Sequence, residues 1–443
     1  MKLSKEIVEI LKEIDPKVNE FTTDKGEVFV KLNKALYGLI QSAKIWYNRL
    51  KDVLREIQYY PLPNNIDPNV FKKLMPPDDK HAKEWFSAIG VHVDDLGIIS
   101  SIEETERVRK HLTKEFGEVK YQTGDEMDWL GIHITRNRKD KPIKLSQKDY
   151  VERMIEKFKN ILKVSKFENE NTPAPLNLFS YSDEFKAGDL DLEFLSIVMS
   201  IAFLAHRTRP DLLTSVSYLT TRSLHRDPND RKILIKLIGY IQSTQNKELR
   251  LSPKSMDIYA WTDASYGNHH DKKGHSGIVV SLSFDKANNK ADGFVYASSK
   301  KQKIVAQSSA EAELMAQSEG LKYLLWLKFL LEELGYLNKN PTIIFFQDNN
   351  AAILMSKAGC GVFKNTKHIS HRFFLIQTHI EEDKIVMKHC PTDLMIADLL
   401  TKAMGGSKLK ELTNFMLNEE ENMDIDKLVL KANKERNTKT STL

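Results

Sequence analysis

Around residue 260 the chain alternates with a period of two. Ile258, Ala260 and Thr262 point one way and Tyr259 and Trp261 the other, which predicts a strand ending at Asp263. A second strand is predicted for Thr342–Gln347, TIIFFQ, a run of mostly β-branched or aromatic residues that ends at Asp348 and leads into the short helical AAILMSK. Between these strands Ser308-Ser309-Ala310-Glu311 reads as a capping box opening a long helix, with Glu313 in its first turns. Farther on, IVMKH reads as a strand that passes through Pro391 into a last helix, LMIADLLTKAM, whose Asp398 interrupts an apolar face. The order is strand-strand-strand-helix-strand-helix-helix-strand-helix. A strand-helix-strand crossover makes its two strands parallel, with their carboxyl ends on one edge, so Asp263 and Asp348 become neighbours.

One acidic residue past a strand is at least as often a turn residue or helix N-cap as a ligand. Four in this pattern, Asp263, Glu313, Asp348 and Asp398, converge on one point. Asp398 is the hardest to read as structural, because a carboxylate among Ala397, Leu399 and Leu400 loses solvation unless a cation or donor meets it. Oxygen-only ligands suit Mg²⁺ or Mn²⁺.

Upstream, GVHVDDLGIIS predicts a tight hairpin, with strands Phe86–Val93 and Leu96–Ile99 and with Asp94 and Asp95 between them. Paired acids at a hairpin tip are usually structural. Residues 164–188 are rich in Asn, Ser and Pro, lack a period and read as a linker. Three helices should follow up to about residue 245, broken at Pro210 and Pro228.

Composition adds bounds. With 443 residues, 41% hydrophobic and 29% charged, the chain can bury two or three cores. No run approaches about 18 uncharged apolar residues. The start, MKLSKEIVEI, reads as an amphipathic helix and not as a secretion signal. No membrane partner is therefore expected, and the cytoplasm or nucleus is the expected compartment. A net charge of +5 leaves nucleic-acid binding to local patches. One patch is Lys300, Lys301 and Lys303. Another is Lys364, Lys367, His368, His371 and Arg372, interleaved with aromatic residues. A zinc site of Cys360, His368, His371 and Cys390 is the alternative use of the second patch, though its spacing fits no common finger. The tail KANKERNTKTSTL is polar and basic, and reads as disordered.

The segments WTDASYG, SSKKQKIVAQSSAEAELMA, FFQDNNAAILMSK, KNTKHISHRFFLI and HCPTDLMIADLLTKAM, taken in order, resemble the ribonuclease H domain of copia-type LTR retrotransposon Pol polyproteins. The resemblance spans about residues 255–405. It implies two-metal hydrolysis of the RNA strand of an RNA–DNA hybrid, with ions about 3.5–4 Å apart. Asp263, Glu313, Asp348 and Asp398 stand at the positions of that family's metal-binding carboxylates, Glu311 being the competitor for the helix position. His389 stands near where related enzymes carry a histidine that assists proton transfer. VKLNKALYGLIQSAKIWYNRL, together with the Asp94–Asp95 hairpin, resembles the same elements' reverse-transcriptase core. There the aspartates bind catalytic metals, and the segment holding Tyr37, Gly38 and Gln41 contacts template and nucleotide. This chain departs from the family pattern at His92, Ile40 and Lys44. KYQTGDEMDWLGIHITRN and LSQKDYVERMIEKF resemble the following strands and the start of the thumb, and Arg207 and Arg209 in HRTRPD match a family signature that could touch nucleic acid.

The expected architecture is α+β and α/β, a reverse-transcriptase palm and thumb remnant followed by a ribonuclease H-like mixed sheet with flanking helices. Its divisions fall at 1–163, 164–254, 255–405 and 406–443. No segment before KLNKALYGL carries the family's earlier catalytic aspartate, Asp15 being a poor substitute, so the polymerase half is expected to be inactive alone. The favoured function is ribonuclease H. The alternatives are a complete reverse transcriptase whose missing strand is supplied elsewhere, and a non-catalytic nucleic-acid-binding protein.

Overall fold

The computed structural model describes residues 1–31, 36, 38–77, 85–136, 142–180, 191–224, 227–253, 255–285, 290–291, 294–337, 341–358 and 370–417. They form two compact units, Met1–Lys120 and Tyr121–Leu443.

In the first unit, helix α1 (Lys5–Ile14) ends at Asp15, whose carboxylate accepts from the Lys17 backbone N–H and opens a 3-10 turn over Pro16–Phe21. Helix α2 (Ile40–Glu56) leads into an antiparallel sheet of β1 (Tyr60–Pro61), β2 (Val70–Met75), β3 (Trp85–His92) and β4 (Asp95–Ile99), in that order. Helix α3 (Ile102–Phe116) begins where the Ser101 hydroxyl accepts from the Glu104 N–H. Leu50, Val53 and Leu54 of α2 and Val108 and Leu112 of α3 bury themselves with Phe71 and Ile89 of the sheet. Helix spacing puts those residues on one stripe. The hairpin is tighter than the sequence pattern suggested. Val93 leaves β3 for the turn with a φ of 56°, which is unusual for a β-branched residue, and Asp95 starts β4, paired with His92.

The second unit opens with another antiparallel sheet, β5 (Glu126–Trp129), β6 (Ile132–Arg136), β7 (Ile143–Ser146) and β8 (Leu249–Leu251). Because β7 pairs with β8, compactness groups residues 121–163 with the C-terminal part of the chain. The division at 163/164 follows the likeness of sequence and stands as a proposal. Helices α4 (Lys148–Leu162), α5 (Leu192–Ala205), α6 (Leu213–Thr221) and α7 (Pro228–Ser243) lie between β7 and β8. The two expected prolines do open elements: Pro210 starts a 3-10 turn before α6 and Pro228 starts α7. The segment read as a linker is not a free one. Within its described part, Phe167, Ala174 and Leu178 are buried against these helices. It shows no period because it packs as an irregular strap.

The largest sheet runs β13-β10-β9-β14-β15, with β9 (Ile258–Ser265), β10 (His275–Leu282), β13 (Phe294–Lys301), β14 (Ile343–Gln347) and β15 (Val386–His389). A small ladder of β11 (Phe284–Asp285) and β12 (Lys290–Ala291) interrupts it. The first three long strands are antiparallel, and β14 is parallel to both β9 and β15. This is a mixed sheet with flanking helices, in the element order that the sequence pattern predicts. Both faces of β9 are covered. Ile258 and Ala260 pack with the 25-residue helix α8 (Ser309–Glu333), whereas Tyr259 and Trp261 pack toward the helices of residues 192–243 and α11 (Gly406–Leu417). Helices α9 (Asn350–Ala358) and α10 (Ser370–Glu382) complete the α8 face. Among the described residues no helix is long and apolar enough to cross a membrane.

Candidate metal centre

Asp263 lies near the carboxyl end of β9 and is 1% exposed. Asp348 follows β14 directly, and the parallel pairing of the two strands puts both carboxylates on one edge. Glu313 arrives from the N-terminal part of α8. That helix runs close over β9 at Gly320, where an added Cβ would sit 2.6 Å from Thr262 Cγ2. One carboxylate oxygen from each of Asp263, Glu313 and Asp348 lies within 4.8 Å of the others.

Capping chemistry separates the two helical glutamates. Glu311 donates its backbone N–H to Ser308 Oγ at 3.2 Å, and its Oε2 accepts from the Gln307 N–H at 2.8 Å. Its carboxylate is spent on the helix start, one residue before the position a full capping box would use. Glu313, beyond the cap, turns into the cluster and accepts from Gln347 Nε2 at 3.2 Å. Gln347 is fully buried, and its Oε1 also accepts from the backbone N–H groups of Asp348 and Asn349. It bridges two of the acids. Sequence reading passed over it because it looked like one more residue of an apolar strand.

Asp398 sits on a 3-10 turn, Ile396–Leu400, and not on the α-helix expected from LMIADLLTKAM. The apolar residues around it are buried as their pattern implied, but a tight turn buries them in fewer residues. Asp398 lies outside the 4.8 Å group and is linked to it by one cation and one hydroxyl donor. Lys402 Nζ is 2.5 Å from Asp398 Oδ1 and 3.5 Å from Asp263 Oδ2, and the Thr401 hydroxyl donates to the same Asp263 oxygen. The turn packs tightly on β10. A Cβ on Gly277 would meet Ala397 O at 2.7 Å.

Two further bonds hold this turn. Thr214 Oγ1 donates to Leu399 O at 2.6 Å, and Ser299 Oγ donates to Leu400 O at 2.7 Å. Behind Ser299 stands a histidine pair that the sequence analysis missed. His275 Nε2 lies 2.7 Å from Ser299 Oγ and His275 Nδ1 lies 2.9 Å from His269 Nε2. A carbonyl can only accept, so the serine proton points to Leu400 and each histidine Nε2 carries the proton given to the next group. His275 must be neutral for this chain, because its Nδ1 accepts from His269 Nε2–H. Burial holds His269 down at about 4 and His275 down at about 3.

The acids crowd one another. Glu313 is raised well above the usual carboxylate range, by burial first and then by the charges of Asp263 and Asp348. Asp348 is raised by burial and Asp263. Asp398 is pushed up to about 7 by burial and Asp263, with Lys402 opposing. Burial lowers Lys402, but the nearby Asp263 and Asp398 carboxylates outweigh it and raise the ammonium. Such a set is short of positive charge. Together with oxygen as the only donor type, it fits a hard divalent cation.

The remaining expected site residues are scattered. His389 ends β15, half-buried and opposite Gln347 in register. Lys300 Nζ lies 3.3 Å from Tyr323 Oη, Lys301 pairs with Asp271 at 2.9 Å, and Lys303 is exposed before α8. Lys364, Lys367, His368, Tyr37 and Cys360 fall outside the described residues, and so do the side chains of His371 and Arg372 on α10. The alternative zinc set therefore lies mostly outside them. Its Cys390 is buried, and burial pushes the thiol up to about 12.

Asp94 and Asp95 are exposed, and among the described residues neither joins a group of three or more ligands. Trp46 Nε1 braces their turn by donating to Val93 O at 2.8 Å. Gln41 is exposed in the first turn of α2. Arg209, expected as a nucleic-acid contact, is 1% exposed. It clamps Asp211 through two bonds of 2.9 and 2.7 Å and donates to Thr244 O at 2.9 Å. That expectation is corrected: Arg209 ties α7 to the turn before α6. Arg207 stacks over Phe203 at 4.4 Å.

Residues 3–167 match the family model described as reverse transcriptase (RNA-dependent DNA polymerase). Over 391 residues the chain is 28% identical to the retrovirus-related Pol polyprotein from transposon TNT 1-94 of Nicotiana tabacum, covering 87% of this chain and 28% of that one. Over most of its length the chain is thus similar to retrotransposon Pol polyproteins. The Pol polyprotein from transposon RE1 of Arabidopsis thaliana is 26% identical over 86% of this chain and 24% of its own length. The Gag-Pol polyprotein of transposon TyH3 of Saccharomyces cerevisiae is 24% identical over 88% and 22%. The chain thus spans about a quarter of the length of these relatives, at 28%, 24% and 22%. Among solved structures, a foamy viral protease-reverse transcriptase in complex with RNA/DNA hybrid is similar at a TM-score of 0.45 and 13% identity, over 84% of this chain and 40% of that one. The LC11-RNase H1 isolated from compost is similar at a TM-score of 0.23 and 18% identity, over 37% and 97%.

Proposed function

We propose that this Pol segment carries, in about residues 255–405, a ribonuclease H that hydrolyses the RNA strand of RNA–DNA hybrids with Mg²⁺ or Mn²⁺. The observation that carries the reading is the meeting of Asp263, Glu313 and Asp348 within 4.8 Å at one sheet edge. Asp398 stands beside them through Lys402. When bound, a divalent pair would activate water and stabilise the leaving oxygen. The carboxylates hold and do not attack. Gln347 orients Glu313, and the Ser299 and Thr214 bonds orient the Asp398 turn. His389, at the end of the neighbouring strand, is the candidate for moving a proton near neutral pH. Lys300 and Lys303 are candidates for phosphate contacts, whereas Lys301 is partly neutralised by Asp271.

For the N-terminal unit the reading is narrower. Asp94 and Asp95 form a pair at an exposed turn, and the described residues bring no third carboxylate to them, so no polymerisation by this chain alone is proposed. The cleavage reading is tested with three duplexes of one sequence, an RNA–DNA hybrid, duplex DNA and duplex RNA, each incubated with Mg²⁺. Cutting confined to the RNA strand of the hybrid supports it. Cutting of duplex DNA, or of nothing, removes it.

A further inference from the structure

Within the cluster of acids one cation is already present. Lys402 Nζ lies within 4 Å of two carboxylates, at 2.5 Å from Asp398 Oδ1 and 3.5 Å from Asp263 Oδ2. Among the described residues, both ion pairs to these acids come from this one lysine. The adjacent Thr401 hydroxyl meets Asp263 Oδ2 as well, so two consecutive residues bring the Asp398 turn to β9. The Lys402 side chain is 44% exposed, which places it at the mouth of the cluster. Its stem can therefore swing outward without opening the core.

We infer that Lys402 is a tethered counter-ion: it holds Asp263 and Asp398 together in the metal-free protein, and it must withdraw when a divalent cation takes the same oxygens. The ammonium and the metal compete for the same negative charge, and like charges a few ångströms apart in a half-buried site repel strongly. A lysine suits this use better than an arginine, because its compact ammonium makes no bidentate fork and leaves each oxygen one contact at a time. Lys402 is a positioning residue, acting through the carboxylates and not on substrate. The inference rests on the metal reading of the preceding subsection.

The test is a Mn²⁺ titration of the full 443-residue chain at about pH 8, where most carboxylates are ionised, followed by the electron paramagnetic resonance signal of the free aquo ion. Wild type is compared with Lys402→Met and Lys402→Gln, and with Lys322→Met as a remote lysine control. Both Lys402 variants should bind Mn²⁺ about tenfold more tightly, the order of effect of removing one nearby like charge from a partly solvated site. Without metal they should melt below wild type, and their gain in Tm on adding Mn²⁺ should exceed the wild-type gain. Lys322→Met should match wild type on both readouts. If wild type and both variants bind Mn²⁺ equally, or the variants bind more weakly, the inference is overturned while the metal reading stands. If none of them binds Mn²⁺, the metal reading falls and takes this inference with it. Tight binding by the variants but not by wild type supports both.

Discussion

At the scale of single residues, the cluster behaves as a set of charges held too close. The Asp263→Asn and Asp348→Asn variants keep shape but remove a formal ligand charge. Each should lower hybrid cleavage by at least about a hundredfold, since even groups one step behind a metal ligand are worth about 10–100-fold. Circular dichroism and melting should show the fold intact, and wild-type rates in either variant would remove that residue from the site. Glu311 and Glu313 make a sharper pair. Glu311→Gln leaves the cluster untouched and weakens one bond at the helix start, at a cost of up to about 1 kcal/mol of stability, whereas Glu313→Gln should act on cleavage. The reverse ranking would show that the capping glutamate is the ligand.

Acidity gives a signed prediction at the same scale. Asp398 is pushed up to about 7 from 3.8, and Glu313 and Asp348 are also raised. A carboxyl with a raised folded pKa binds its proton more tightly in the folded than in the unfolded chain, so its contribution is full below the unfolded value and is lost as pH rises through the folded one. Metal-free protein should therefore lose stability between about pH 4 and pH 7 from these groups. A divalent ion should recover it, with a larger Tm gain at the alkaline end. Melting with and without Mg²⁺ across that range is the check, and a metal-induced gain that shrinks toward higher pH would contradict the assignment.

At the scale of elements, the question is what carries three acids to one edge and a fourth beside them. Two of them were legible from period and crossover alone, because Asp263 lies near the end of β9 and Asp348 just past β14, strands whose alternation or apolar run is plain. Glu313 was legible as a helical residue, but the choice against Glu311 came from the family likeness and not from spacing. The 3-10 turn of Asp398 was not legible, since a run such as LMIADLLTKAM has the composition of a helix, and only packing against β10 decides for a tighter turn. The histidine chain could not be read because His275 meets Ser299 across neighbouring strands and His269 reaches His275 from the loop between β9 and β10, beyond any local period. Arg209 was misread because a basic signature looks alike whether it faces phosphate or a buried Asp211.

Gly277 tests this element-level account. A Cβ there would sit 2.7 Å from Ala397 O and 2.9 Å from both Leu400 Cβ and Thr401 Cγ2, so the Asp398 turn must shift. Gly277→Ala should cost about 1–3 kcal/mol, the usual range for overpacking. It should also raise the Mg²⁺ concentration needed for half-maximal cleavage. Stability lost with no change in metal requirement would mean that the turn does not depend on this approach.

For the whole molecule, each of the two compact units has its own acidic feature, an exposed pair in one and a buried cluster in the other. Asp94→Asn should leave hybrid cleavage unchanged within error. The wild-type chain should extend no primer on an RNA template with Mg²⁺ or Mn²⁺, and template-dependent extension would show that another acid completes the Asp94–Asp95 pair. The central claim is the buried cluster, and the most direct measurement of it is cleavage of a hybrid with both strands labelled, by wild type and by Asp348→Asn side by side in Mg²⁺. The account predicts that wild type shortens the RNA strand alone and that the variant leaves both strands whole. Equal cutting by the two proteins, or cutting of the DNA strand, would contradict it.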